Sequence, residues 1–427
     1  MNCFIKVYGC QMNAADSSLL SGILAGAGIT ETLSEKDAES VVVLTCSVRQ
    51  HAEDRAKGFA RTMRGEGKKV VVAGCMAQLR GDSLIREGVA DYVAGPDQYR
   101  MIPSFIKEQE MQARNPDFDE LETYSDLLPS FKNSVSESLA IMRGCNNYCS
   151  YCVVPYARGP ERSVPYQSIE RRIRRFLDCG AKEVFLLGQN VLAYGDAGKR
   201  FIDLLERLSG LSGLERIGFL TSHPRDLDKE TVRRMAAIPN LLHFFHLPLQ
   251  SASDKVLSLM NRGYTMADYE ERVAWVRETF EKPYITTDIL VGFPGETQED
   301  FQYTLDAIER IGFDFAYMFA YSERPGTRAC EMSAKVSQEE RQERLCVLIE
   351  HANAIARKKA SCLVGSEEEI FITAPAPRGD GAMLAGLRNH RSIVFKQKAR
   401  PGERLRARIV RLEGFTLLAE PLTKEVV

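Results

Sequence analysis

No apolar run in this chain approaches the ~20 residues that a membrane-spanning helix needs, so no transmembrane segment is expected. The opening stretch Met1–Val7 lacks the apolar core of a secretion signal, being short and interrupted by Lys6. Strong charge of one sign is also missing: 56 basic and 58 acidic residues leave −2 at pH 7. That excludes a protein drawn to polyanions over its whole surface, and any nucleic-acid contact must be local. Histidine is scarce, with six in the chain. Cysteine is not: eleven of them without a secretion signal predict a reducing, cytoplasmic setting and metal or redox use in place of disulfides. A length of 427 residues exceeds one ordinary core and predicts two or three domains, with a composition typical of globular proteins.

Three cysteines stand in one window, Cys145-Asn146-Asn147-Tyr148-Cys149-Ser150-Tyr151-Cys152. Three thiolates are one fewer than an iron–sulfur cube usually takes, which leaves one iron open to a small molecule. A zinc knuckle or a set of buried thiols is the plainer reading. Zinc would want a fourth Cys or His at short range, and the nearest histidines, His51 and His223, stand far off in sequence.

Residues 1–106 read as alternating strands and helices. The apolar runs Phe4–Tyr8, Val41–Thr45 and Val70–Ala73 are separated by the helical stretches Asp16–Ala27 and Gln50–Arg64, the pattern of a parallel α/β sheet. Each run is followed by a cysteine: Cys10, Cys46 and Cys75. Ligand sites in such sheets form beyond the carboxyl ends of the strands, so the trio could hold a second cluster, although small core residues are the alternative. Residues 107–135 are acidic, polar and weakly periodic, read as a linker or crossing segment, or as a loop covering substrate.

From about 136 to 360 six strands alternate with helices: Leu139–Met142, Glu183–Leu187, Arg216–Leu220, His243–Leu247, Tyr284–Val291 and Phe315–Ala320. This predicts a partial (β/α)6 barrel with its chemistry at the carboxyl ends of the strands. A helix over about Gln338–Cys362 leads to residues 361–427, whose short strands broken by Gly and Pro predict a small β-barrel of the oligonucleotide-binding kind. Between Ala376 and Leu412 ten basic residues face two acidic ones. Arg388, Arg391, Lys396, Lys398, Arg404, Arg406 and Arg408 are the candidates for RNA contacts, the last three alternating along one strand face. A charge-protected edge strand is the competing account.

With these motifs in view the chain resembles the radical S-adenosylmethionine methylthiotransferases along essentially its whole length. Tyr8-Gly9-Cys10-Gln11-Met12-Asn13 is similar to the signature of the branch that modifies isopentenyladenosine in tRNA. Thr45-Cys46-Ser47-Val48-Arg49, Ala73-Gly74-Cys75, the Arg143–Cys152 loop with Arg158-Gly159, His246–Ser251, Met260–Tyr264 and Asp288–Thr297 match further family motifs. Ala252 stands where the family usually has glycine, and Leu44 where asparagine is common.

The resemblance implies two 4Fe–4S clusters, on Cys145, Cys149 and Cys152 and on Cys10, Cys46 and Cys75, with S-adenosylmethionine at the first. It implies insertion of sulfur and a methyl group at carbon 2 of N6-isopentenyladenosine beside the anticodon. The C-terminal barrel is similar to a TRAM domain that would grip a tRNA anticodon stem-loop. A flavodoxin or ferredoxin is the expected reductant, and a monomer the default state. Gln189 and Asn190, Gln250, Arg262 and Asp288 are the candidates for holding S-adenosylmethionine; interior polar groups that serve only the barrel are the alternative for each. Two other branches, acting on threonylcarbamoyladenosine or on a ribosomal-protein aspartate, remain open. So do a non-catalytic iron–sulfur RNA-binding protein and a zinc-dependent one. Cys3, Cys179, Cys330, Cys346 and Cys362 lack ligand spacing and read as buried small residues.

Overall fold

A computed structural model describes residues 1–47, 50–107, 118–119, 121–131, 134–377 and 381–422. Val48, Arg49, Arg378 and much of the expected linker therefore lie outside the described residues. The amino-terminal sheet holds β1 (Asn2–Val7), β2 (Thr30–Glu31), β3 (Ser40–Thr45), β4 (Lys69–Gly74) and β5 (Tyr92–Ala94) in the order β2-β1-β3-β4-β5. All pairings are parallel, with Val41 opposite Val70. The β-branched runs Val41–Val43 and Val70–Val72 are wholly buried, as suits a sheet covered on both faces. Helices α1 (Gln11–Gly26) and α4 (Ile102–Lys107) cover one face, α2 (Gln50–Gly65) and α3 (Cys75–Arg86) the other. Two strands exceed expectation, β2 and β5, each too short to register as an apolar run. Helix α1 starts at Gln11, five residues earlier than the periodicity suggested, because Cys10 occupies its N-cap without a side-chain cap bond.

The central unit begins with β6 (Ser136–Ala140) and a small antiparallel pair, β7 (Met142–Arg143) with β8 (Arg162–Ser163), flanking α5 (Val154–Arg158). Helix α6 (Tyr166–Asp178), β9 (Glu183–Leu187), a hairpin of β10 (Gly195–Asp196) and β11 (Lys199–Arg200), α7 (Phe201–Ser209), β12 (Arg216–Phe219) and α8 (Lys229–Ala236) follow. Next come β13 (Phe244–His246), α9 (Asp254–Leu259), α10 (Met266–Thr279), β14 (Tyr284–Val291), α11 (Gln298–Ile311) and β15 (Phe315–Ala320). The strands pair in parallel as β6-β9-β12 and β13-β14-β15, and an Ile217–Leu241 bridge joins the halves. The six expected strands thus form an open parallel barrel in chain order. Its lumen is filled by Phe185, Leu187, Leu242 and Phe244, onto which Met12 of α1 packs.

Helix α12 (Gln338–Ser361) connects to a closed barrel of β16 (Glu367–Pro375), β17 (Met383–Gly386), β18 (Ser392–Phe395), β19 (Arg404–Glu413) and β20 (Thr416–Pro421). This barrel docks on the amino-terminal ends of the central strands. Arg216, first residue of β12, donates to the Gly386 and Leu387 carbonyls at 2.9 and 2.8 Å. The ring of His390 enters the lumen between Phe185 and Phe244, with centroids 4.5 and 5.3 Å away. The opposite, carboxyl-terminal ends of the strands are left to the cysteine loops.

The part of the expected linker that is described is no free tether. Tyr124 is buried, stacks on Tyr99 and donates to the Pro96 carbonyl at 2.9 Å. Of the five leftover cysteines only Cys3 is buried; Cys179 and Cys330 are half-buried, and Cys346 and Cys362 are exposed. Cys346 lies on the solvent side of α12 and Cys362 is the residue that caps its carboxyl end.

Candidate metal and cofactor site

Cys10, Cys46 and Cys75 follow β1, β3 and β4, three neighbouring parallel strands, at their carboxyl ends. Glycine makes the approach possible. A Cβ at Gly9 (φ +136°) would collide with the Cys46 side chain, and one at Gly74 (φ +92°) would sit 2.8 Å from the Thr45 carbonyl oxygen. The thiols interact: hydrogen bonding with Cys46, then the charge of Arg158, holds Cys10 down to about 6. Burial pushes Cys75 up, opposed by Arg158.

Cys145, Cys149 and Cys152 lie in the loop after β7. Gly144 (φ +78°) cradles its start, where any Cβ would overlap the Pro160 carbonyl. Asn261, itself left-handed at φ +57°, donates its side-chain amide to the Asn147 and Tyr148 carbonyls at 3.2 and 3.1 Å. Ser150 bonds the Met260 and Leu259 carbonyls at 2.9 and 2.8 Å. Burial pushes Cys145 up to about 11 and Cys152 up to about 12. Charges placed in a dry pocket this way are held only if something compensates them, and the nearest cation is Arg262. Its Nη1 lies 3.3 Å from the Cys149 sulfur, while Nη2 donates to the Pro248 carbonyl at 2.8 Å and Nε to the Tyr264 hydroxyl at 3.1 Å.

A buried ion cluster joins the two trios. Asp16 of α1, fully buried, receives Arg143 at 2.7 Å, Arg158 at 2.8 Å and the Tyr99 hydroxyl at 3.1 Å. Burial would raise its carboxyl, yet the two guanidiniums hold it below the usual range. Arg158 closes α5, directly after the cysteine loop, and also donates to Asn13 Oδ1 at 3.3 Å. Sequence reasoning missed Asp16 altogether, although its spacing from Cys10 and Asn13 places all three on one face of a helix.

The five candidate cofactor residues divide. Arg262 stands against the cysteine loop. Gln189 has a buried side-chain oxygen without a partner. Gln250 is left-handed (φ +72°), and its backbone bonds Asp288 and Leu290 across the strand. Asp288 faces the lumen and pairs with His246 Nε2 at 3.3 Å, whose Nδ1 is 2.9 Å from Thr286 Oγ1. Two residues on, Leu290 packs against the same apolar cluster as Tyr151 of the cysteine loop. Asn190, by contrast, is spent on the fold: Nδ2 donates to Asp226 at 2.6 Å and Oδ1 accepts the His223 N–H at 2.9 Å. His223, passed over as a structural histidine, is buried with Nε2 unpartnered, and burial followed by Arg262 lowers it to about 2.

Residues 139–308 match the Radical SAM superfamily, and residues 2–95 match a family described as Uncharacterized protein family UPF0004. The chain is 37% identical over 435 residues to the tRNA-2-methylthio-N(6)-dimethylallyladenosine synthase of Chlorobium chlorochromatii, covering 98% of this chain and 97% of that one. It is 36% identical to the synthase of the same name from Thermodesulfovibrio yellowstonii, covering 97% of each. The chain belongs to the radical S-adenosylmethionine methylthiotransferases. In fold it is similar to the radical S-adenosylmethionine methyltransferase TsrM from Kitasatospora setae, with TM-score 0.59 and 17% identity over 77% of each chain.

The donor chemistry fits what a methylthiotransferase carries. None of the eleven cysteines forms a disulfide. Among the described residues no three His, Cys, Asp or Glu side chains converge on a point that one metal ion could occupy.

Of the expected RNA contacts, one is contradicted by burial and the others differ in their surroundings. Arg391 is buried and pairs with Asp314 at 3.0 Å, an anchor between barrels. Arg388 is exposed but lies at the same junction, its Nη2 3.2 Å from the Pro239 carbonyl. Arg404 pairs with Glu215 at 2.9 Å, and Arg406 and Arg408 pair with Glu367 at 3.9 and 2.7 Å. The alternating arginines of β19 therefore face the acidic start of β16, a partner that pairing reveals and periodicity does not. Among the described residues Lys396 and Lys398, with Arg400, are exposed cations of this barrel that enter no ion pair.

Proposed function

We propose that this chain is a tRNA methylthiotransferase that installs sulfur and a methyl group at carbon 2 of N6-isopentenyladenosine next to the anticodon. The observation that supports the reading is a pair of cysteine trios linked by the buried Asp16, Arg143 and Arg158 cluster, in a chain colinear with synthases named for that nucleoside. Cys145, Cys149 and Cys152 would hold one 4Fe–4S cluster, and Cys10, Cys46 and Cys75 the other. With S-adenosylmethionine bound, the first supplies radical chemistry able to break an unactivated C–H bond and the second a sulfur to transfer.

The side chains do the positioning. Arg262 donates toward Cys149 and places a fixed positive charge beside the loop, offsetting the negative charge that three thiolates bring into a buried pocket. Asn261 fixes the left-handed turn at Tyr148, so the three sulfurs keep one arrangement. Gln189, Gln250 and Asp288 present polar atoms in the lumen and at its mouth, where the methionine and ribose groups of the cofactor would be bound. Met12 and the Asp16 cluster hold the amino-terminal unit against the barrel.

Lys396, Lys398 and Arg400 would meet RNA phosphates, and an unstacked loop base would enter between the first two domains. Residues 1–106, 136–360 and 361–427 are the proposed functional units. A flavodoxin or ferredoxin is the proposed electron source, and the cytoplasm the proposed location. The test is nucleoside mass spectrometry of total tRNA from a strain lacking the gene. The methylthio form should disappear and its isopentenyl precursor accumulate; an unchanged profile would overturn the assignment.

A further inference from the structure

The two trios are not independent neighbours: one residue belongs to the loop of one and reaches into the other. Arg158 ends the short helix six residues after Cys152, yet its guanidinium lies against α1 of the amino-terminal unit. Nη2 is fixed by Asp16 at 2.8 Å and by Asn13 at 3.3 Å, both on the helix that begins just after Cys10. Helix α5 packs on α3, the helix that begins with Cys75. The side chain is 3% exposed, and Nη1 is buried with no partner among protein atoms.

An unpartnered guanidinium N–H in a dry interior is destabilising unless something accepts from it. Asp16 already receives Arg143, so charge balance on Asp16 does not require the second arginine. Held between the starts of α1 and α3, the guanidinium faces the thiols of Cys75 and Cys10, on both of which its charge acts.

We propose that Arg158 is a positioning residue for the amino-terminal sulfur site, donating through Nη1 to sulfur held there and stabilising its more negative, reduced state. The proposal rests on the reading that this trio holds a cluster. Hydrogen bonds to cluster sulfurs and net local charge are the protein's levers on reduction potential. A cation beside the cluster raises the potential, and its removal lowers it. Because the cation is delivered by the segment next to Cys152, order in the cysteine loop sets the charge felt at the neighbouring trio.

The experiment uses the full chain with Cys145, Cys149 and Cys152 replaced by Ala, so that one cluster alone is read, reconstituted anaerobically and titrated with dithionite under EPR. Relative to that parent, Arg158→Met should shift the midpoint to more negative potential and change the spectral line shape at equal iron content. Arg158→Lys, which keeps charge but loses the second N–H, should fall between the two. Identical midpoints and spectra in all three would overturn the proposal. If Arg158→Met takes up no iron, Arg158→Lys decides: loading with a shifted midpoint supports the proposal, and failure of both marks Arg158 as a mere support of the fold. A parent that binds no iron overturns the cluster reading itself, a result distinct from these.

Discussion

Nη1 of Arg262 lies 3.3 Å from the sulfur of Cys149, the middle cysteine of the loop. Arg262 comes from the turn after α9, more than a hundred residues on, and is fixed by Pro248 and Tyr264. Groups that support metal ligands in this manner typically matter by about 10–100-fold in affinity or activity. Arg262→Gln should lower deoxyadenosine formation from S-adenosylmethionine by about that factor, while far-UV circular dichroism stays the same. A variant with full turnover would remove Arg262 from the site.

Asp16 carries two arginines in a buried cluster, so Asp16→Ala leaves both guanidiniums without a counter-charge. Breaking a buried pair on one side costs about 3–5 kcal/mol, and the denaturation midpoint in urea should fall accordingly. The sign with pH follows from its lowered carboxyl. Its contribution is fully present above the unfolded value of about 4 and fades as pH falls through the folded one. The acid limb of the stability curve should therefore flatten in Asp16→Ala.

Gly144 sits at φ +78° under the Pro160 carbonyl. Gly144→Ala should open the cysteine loop and abolish cleavage of S-adenosylmethionine while leaving the amino-terminal trio able to bind iron. Iron per chain should drop by about half. Retention of all iron and all turnover would show that the loop does not depend on this turn.

The C-terminal barrel gives a salt prediction. Replacing Lys396, Lys398 and Arg400 with Ala should weaken binding of an anticodon stem-loop and reduce the slope of log K against log salt by about 2–3, one phosphate contact contributing about 0.7–0.9. Replacing Arg406 and Arg408, which pair with Glu367, should change the slope much less. The reverse ranking would return the RNA surface to β19.

Much of this architecture was legible because its signals are local. Valine runs ending in cysteine gave the amino-terminal sheet, and the six strand–helix alternations gave the partial barrel. What stayed hidden depends on partners distant in sequence. Arg404, Arg406 and Arg408 do alternate on one face, but the glutamates opposite them enter through the pairing of β16 with β19. Arg391 looks like any surface arginine until Asp314 is brought beneath it. The true start of α1 was obscured because Cys10 is no usual cap, and with it went the alignment of Asn13 and Asp16. Asn190, placed well for a ligand by its motif, spends both ends of its amide on the chain itself.

The account depends above all on two cysteine trios each holding iron. Anaerobic reconstitution of the unaltered chain, of Cys10/Cys46/Cys75→Ala and of Cys145/Cys149/Cys152→Ala, followed by iron and sulfide analysis and Mössbauer spectroscopy, reads this directly. The expected result is 4Fe–4S signal in both triple variants, each at about half the parent content. Full iron content in either triple variant, or none in the one that keeps only Cys10, Cys46 and Cys75, would contradict it.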